Sequence, residues 1–129
     1  MSHLTQSVLS FARSLPEGGL LSPKEFLHLG SRAAIDQTLS RLAREGQLLR
    51  VARGVYSLPI RGRFGERPPS TESVVEAMQA SHGETIVASG AAEANALGLT
   101  TQVPIREVYL TSGRSRRFKL GNREIEFKH

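Results

Sequence analysis

The stretch "SRLAREGQLLRVARGVYSLPIRGRFG", Ser40 to Gly65, decides how the chain is read. A helix ends at Glu45–Gly46, because glycine readily takes the left-handed conformation that closes a helix. Two short apolar β-type runs follow, "QLLRVA" and "GVYSL". Arg53–Gly54 is the predicted turn between them, with Gly54 supplying the positive φ of a tight hairpin. The chain then becomes basic again, in "PIRGRFGERPP".

Upstream, Leu4, Val8, Phe11, Ala12 and Leu15 fall at helical spacing, so residues 3–15 are predicted as an amphipathic helix stopped by "PEGG". "SPKEFLHLG" opens a second, short helix: Ser22 is the N-cap, Pro23 sits in the first turn, and Glu25 completes a capping box. Gly30 ends it, and Ser31 caps a third helix that runs to about Glu45. Ile35, Leu39 and Leu42 form the buried stripe of that helix. Its opposite side carries Ala33, Gln37, Ser40, Arg41 and Arg44, with small and hydrogen-bonding groups early and cations late. Arg32 and Asp36 stand four apart, a spacing that favours pairing along the flank. Helix, short helix, tight turn, helix and hairpin is the order of a winged helix-turn-helix.

In that fold the third helix suits the major groove of a duplex and the hairpin lies beside it over a phosphate strand. Arg41, Arg44, Arg50 and Arg53 are then expected on one side, where neutralised phosphates release counterions. Arg61, Arg63 and Arg67 follow in a Gly/Pro-rich segment, 61–69, predicted as an extended basic arm or linker. The charge supports the division. Ten of the 17 bases but five of the 12 acids precede Pro68, so the net charge of +5 lies in the first half. A basic, solubilising surface is the plainer account of the same charge.

Beyond the linker, Ser70 or Thr71 caps a helix to about Ser81, with Val74, Val75 and Met78 as its apolar contacts. "ETIVAS" reads as a short buried strand and "GAAEANALG" as a helix of small residues. "REVYLTS", "RRFKLG" and "REIEFKH" read as three strands, with hairpin turns near Ser112–Gly113 and Gly121–Asn122. Alternation places Phe118 and Leu120 on one face and Arg117 and Lys119 on the other. The fold class expected is α+β: a winged helix-turn-helix over 1–60, the linker 61–69, and over 70–129 a small α/β domain with a mainly antiparallel sheet. The chain stops directly after a strand, which suggests that further chain, a partner or a second copy covers that sheet.

The residues argue against an enzyme. His3, His28, His82 and His129 are scattered, Asp36 is the only Asp, and there is no Cys. "GAAEANALG" lacks the ending of a phosphate loop. Glu124 and Glu126 share a strand face and read as solvated rather than metal-binding. No cofactor or metal is expected. The N-terminus lacks a signal-peptide pattern, and no segment reaches the apolar length of a membrane span. Arg114, Arg116, Arg117 and Lys119 in "SGRSRRFK" form a possible second patch for nucleic acid or an acidic protein, or simply a solvated turn.

"LSRLAREGQLLRVARGVYSLP", Leu39 to Pro59, resembles the winged-helix start of the AbiEi-type antitoxins of abortive-infection (type IV) toxin–antitoxin modules. "VASGAAEANALGLTTQVP" and "VYLTSGRSRRFKLGNREIEFKH" resemble the second domain of that family. The resemblance implies a non-enzymatic, cytoplasmic protein of phage defence. It implies binding to inverted-repeat operator DNA, with a homodimer as one form of the bound protein, and repression of its own operon. It also implies counteraction of a nucleotidyltransferase-type toxin. By position, Arg32, Ala33, Gln37, Ser40, Arg41, Arg44, Arg50 and Arg53 would carry DNA binding, joined by Arg61 and Arg63 of the arm. The alternatives are a winged helix that neutralises a protein partner by contact, and an RNA-binding module acting through the Arg114–Lys119 segment.

Overall fold

The computed structural model describes residues 3–63, 65–89 and 105–129. The expected helix "GAAEANALG" lies outside them. The class is α+β, in the expected order of helices before strands. Helix α1 (His3–Ser14) buries Val8, Leu9 and Ala12. The short strand β1 (Leu20–Leu21) leads to a single 3₁₀ turn, Pro23–Phe26, where the sequence predicts a short helix to Gly30. The Glu25 carboxylate accepts from the Ser22 backbone N–H at 2.6 Å, so this turn is fastened at its start. Helix α2 (Arg32–Arg44) begins at Ser31, whose hydroxyl accepts from the Ala34 N–H at 3.2 Å, and Gly46 follows its end at φ +82°.

Ile35, Leu39 and Leu42 are fully buried, as their spacing predicts, and join Val8, Leu21, Phe26, Leu48 and Tyr56 in a first core. Phe11 meets Phe26 edge-on at 5.2 Å on its margin. Strands β2 (Leu49–Ala52) and β3 (Val55–Ser57) form the expected hairpin, with Gly54 at φ +73°. β1 pairs with β3, giving a three-stranded antiparallel sheet of order β1-β3-β2.

The sequence does not reveal what the far side of this small sheet does. Val51 of β2 is buried in a second core with Val74, Met78, Ile86, Phe118, Leu120, Ile125 and Phe127. Leu20, Leu49, Ala52 and Val55 pack on the same cluster. A register shift between Arg50 and Ala52 interrupts strand alternation, so Val51 and Ala52 both meet it. The hairpin is thus a wall between two cores.

The described residues of 61–69 do not form an extended arm. Strands β4 (Ile60–Gly62) and β5 (Gly65–Arg67) pair antiparallel as a second hairpin. Arg61 and Glu66 stand opposite one another there and form a 2.9 Å ion pair, so the arm closes on itself. Helix α3 (Thr71–His82) starts at Ser70, whose hydroxyl accepts from Ser73 N–H at 3.1 Å, and ends at Gly83 in the left-handed region.

The last sheet contains β6 (Ile86–Ala88), β7 (Ile105–Thr111), β8 (Arg116–Leu120) and β9 (Arg123–Lys128), in the order β6-β7-β9-β8. The turn at Gly121–Asn122 joins β8 and β9 as predicted, but β7 and β8 are not a hairpin. β9 lies between them, parallel to β7 and antiparallel to β8. The central place gives β9 backbone partners on both sides, and its inner face buries Ile125 and Phe127 completely. The 112–115 segment crosses the end of β9, where Ser115 Oγ accepts from the His129 N–H at 3.0 Å. β6 is an edge strand and not the buried one expected; Ile86 is buried, but Val87 is 52% exposed beside Leu110 at 47%. The β2–β3 hairpin contributes to the core on the inner face of this sheet. Burial, then the Glu107 and Glu72 carboxylates, raise the Tyr109 phenol above its ordinary value near 10, against the opposing Arg123 charge. No helix among the described residues is long and apolar enough to cross a membrane.

Gly18 sets how closely the first unit, the elements around the first core, approaches α3, which belongs to the second unit around the second core. Its φ is +84°, and a Cβ there would fall 2.5 Å from the Ser73 carbonyl carbon. Beside it, Ser73 Oγ donates to Glu17 Oε2 at 2.7 Å. Gly18→Ala therefore combines left-handed strain with a backbone collision, and we expect a loss of about 2–5 kcal/mol in urea unfolding. Gly54→Ala meets nothing within 4 Å and should lose only the conformational part, about 1–2 kcal/mol. Equal losses at the two positions would contradict the close approach at Gly18.

Candidate nucleic-acid interface

The buried stripe of α2 fixes what its other side presents. Ala33, Gln37 and Arg44 are exposed, and Ser40 is half-buried on the edge of that face. Arg44 makes no ion pair among the described residues, so its charge is uncommitted. Arg41 differs. Its guanidinium donates to the Thr5 hydroxyl on α1 and lies 3.9 Å from Glu45, which turns it to the α1 flank and away from the centre of the exposed face. Arg32 lies on the opposite flank, 3.3 Å from Asp36 as the four-residue spacing predicts. Both groups of that pair are more than half exposed, so it contributes little and opens easily to a competing anion.

The hairpin holds Arg50 on β2 and Arg53 in its turn, both exposed and free of ion pairs among the described residues. Arg63 is exposed beside the β4–β5 turn, while Arg61 is held by Glu66. The cations of the first half therefore divide into uncommitted groups and groups paired with carboxylates.

A groove of about 580 Å³ runs between the 3₁₀ turn, the start of α2, the β2–β3 turn and the start of β8. Lys24, Arg32, Arg53, Arg114 and Arg116 line it together with Glu25 and Glu84. Lys24 is absent from the residues expected at an interface, because in sequence it reads only as part of a helix start. The groove also divides the predicted Arg114–Lys119 patch. Arg116 is internal: its Nη2 donates to Glu84 Oε2 at 2.7 Å, and its guanidinium carbon lies 5.4 Å from the Phe127 ring centre. Arg117 and Lys119 alternate onto the outer sheet face, where Arg117 lies 3.8 Å from Glu126. Arg114 alone of the four has its side chain both exposed and on the groove. No local pattern announces the Arg116–Glu84 pair, whose members are separated by 32 residues.

Among the described residues, no group of three or more His, Asp or Glu side chains is arranged to hold a metal ion. The surface offers guanidinium and ammonium donors, one carboxamide at Gln37 and little enclosed apolar area, which is chemistry for solvated anions and base edges.

Residues 7–129 match the profile of DUF6088, a family of unknown function, and the chain belongs to that family. No curated protein and no solved structure matches it.

Arg116 and Glu84 are only 19% and 13% exposed at their side chains, so removing one partner strands a desolvated charge. Arg116→Met should lower stability by about 2–4 kcal/mol in thermal or urea unfolding. Arg117→Met, on the solvated face, should change it by about 0.5 kcal/mol or less. A neutral result for Arg116→Met would return Arg116 to the candidate binding groups.

Proposed function

We propose that this member of DUF6088 binds duplex DNA through a winged helix-turn-helix, acting as the antitoxin and autorepressor of a type IV toxin–antitoxin operon in the cytoplasm. The observation that carries the DNA-binding part is the division of α2: one side is sealed into the first core, while Ala33, Gln37 and Arg44 remain exposed and uncommitted. The adjoining hairpin bears Arg50 and Arg53, also uncommitted among the described residues. The 3₁₀ turn and α2 then serve as the helix-turn-helix pair and β2–β3 as the wing.

In this reading α2 enters the major groove. Gln37, whose carboxamide both donates and accepts, is suited to the edge of an adenine. Ala33 is small enough to admit close approach and to meet a thymine methyl. Arg44, Arg50 and Arg53 neutralise phosphates and supply most of the affinity through counterion release. Arg41 supports the helix against α1 through Thr5 and contributes charge from the flank. An inverted-repeat operator requires two copies of the chain, related as the half-sites are. The antitoxin part rests on the resemblance of Leu39–Pro59 and of the segments from Val87 onward to AbiEi-type proteins. The proposed toxin is a nucleotidyltransferase encoded alongside.

Mobility shifts on the DNA upstream of its own gene test the reading. Arg44→Ala should weaken binding to all duplexes and reduce the salt slope by about one unit. Gln37→Ala should instead alter the preferred sequence, with discrimination at one position falling by about 1–3 kcal/mol. Unchanged affinity, slope and preference in both variants would exclude α2 as the reading helix. Coexpression with the adjoining gene tests the second part: growth arrest by that product and its relief by this chain are expected, and toxicity without relief would remove the antitoxin assignment.

A further inference from the structure

The groove beside the wing is lined by both halves of the chain, and its cations are unevenly committed. Lys24 and Arg53 come from the first unit and Arg114 from the loop before β8. None of the three makes an ion pair among the described residues. The two carboxylates on the groove are occupied: Glu25 by the Ser22 N–H, and Glu84 by Arg116 and the Thr111 hydroxyl. All three of these cations are exposed. That arrangement suits a run of solvated phosphates along an open trough better than one small, desolvated anion.

The loop that carries Arg114 is held in place. Gly113 N–H donates to Thr111 Oγ1 at 2.9 Å, and Arg116 Nη1 donates to the Arg114 carbonyl at 2.7 Å. The loop runs close against Glu84, since a Cβ at position 113 would lie 2.6 Å from its carboxylate. The wing turn is held relative to this loop because Val51 and Phe118 share one core. Arg53 and Arg114 are therefore presented together by packing.

We infer that the second unit is part of the DNA interface: Arg114 binds the phosphate strand that passes the wing turn, and with Lys24 and Arg53 it forms one phosphate-binding trough. This rests on the proposed duplex binding and extends it beyond the winged helix. The second unit then adds affinity without reading sequence, since Arg114 meets phosphates and not base edges. Arg117 and Lys119, on the outer face of β8, take no part.

The test compares full-length Arg114→Ala, Arg114→Lys, Arg117→Ala and Arg44→Ala on a labelled duplex of about 30 base pairs from upstream of its gene, across roughly 50 to 200 mM salt. Arg114→Ala should bind about five- to tenfold more weakly at low salt, with the slope reduced by about one unit and the sequence preference unchanged. Arg114→Lys should recover most of the loss, and Arg117→Ala should stay within about twofold of the parent. All variants should melt with the parent, because these side chains are exposed. Parent-like binding by Arg114→Ala while Arg44→Ala is weakened overturns the trough and leaves the winged-helix reading standing. Equal weakening by Arg114→Ala and Arg117→Ala also overturns it, since that is a general charge effect. Parent-like binding by every variant removes duplex binding itself, and the trough with it.

Discussion

The burial of Val51 in the second core is the constraint on which the arrangement depends. A three-stranded sheet with strands of two to four residues is a poor independent structure, because it cannot bury enough apolar area. Here it is covered on both faces. Leu48 and Tyr56 close the core under α1 and α2, while Val51, with Leu49, Ala52 and Val55 around it, closes the core under α3 and the last sheet. Each unit therefore uses the hairpin as its wall. The bulge between Arg50 and Ala52 makes this possible by turning two successive residues toward one side.

That shared wall has a consequence for the proposed function. A hairpin that only rested against α2 would be free to swing about its turn. Here β2 lies against β8, so the turn at Arg53–Gly54 keeps a defined position relative to the loop at Arg114. Backbone approach at Gly18 and the Glu17–Ser73 hydrogen bond add a second point of fixation at α3. Cations held at set positions lose less conformational freedom when they meet a phosphate strand than cations on a free arm. The segment 61–69, which has the composition of such an arm, spends Arg61 on Glu66 in a hairpin of its own.

Charge alone misleads about which arginines are available. Arg116 sits in a run of cations that reads as one patch, yet its environment is a carboxylate and two aromatic rings. Its neighbour Arg117 has the opposite surroundings one residue later, as strand alternation requires. Arg41 shows the same effect on a helix: a rotation of 100° per residue carries it from the exposed face to the flank of α1.

Several features were legible from the amino-acid order because they are local. The caps at Ser22, Ser31 and Ser70, the buried stripe of Ile35, Leu39 and Leu42, the turns at Arg53–Gly54 and Gly121–Asn122, and the faces of β8 all depend on residues within a few positions of each other. The exposed side of α2 followed from the same periodicity, and with it Ala33, Gln37 and Arg44. Tertiary structure alone decided the rest: β9 inserted between β7 and β8, the β2–β3 hairpin shared between two cores, Glu84 paired with Arg116, and Lys24, Arg53 and Arg114 gathered on one groove. These join residues 18 to 90 positions apart, and their selection depends on the total apolar surface that can be enclosed. No short window of sequence contains that quantity.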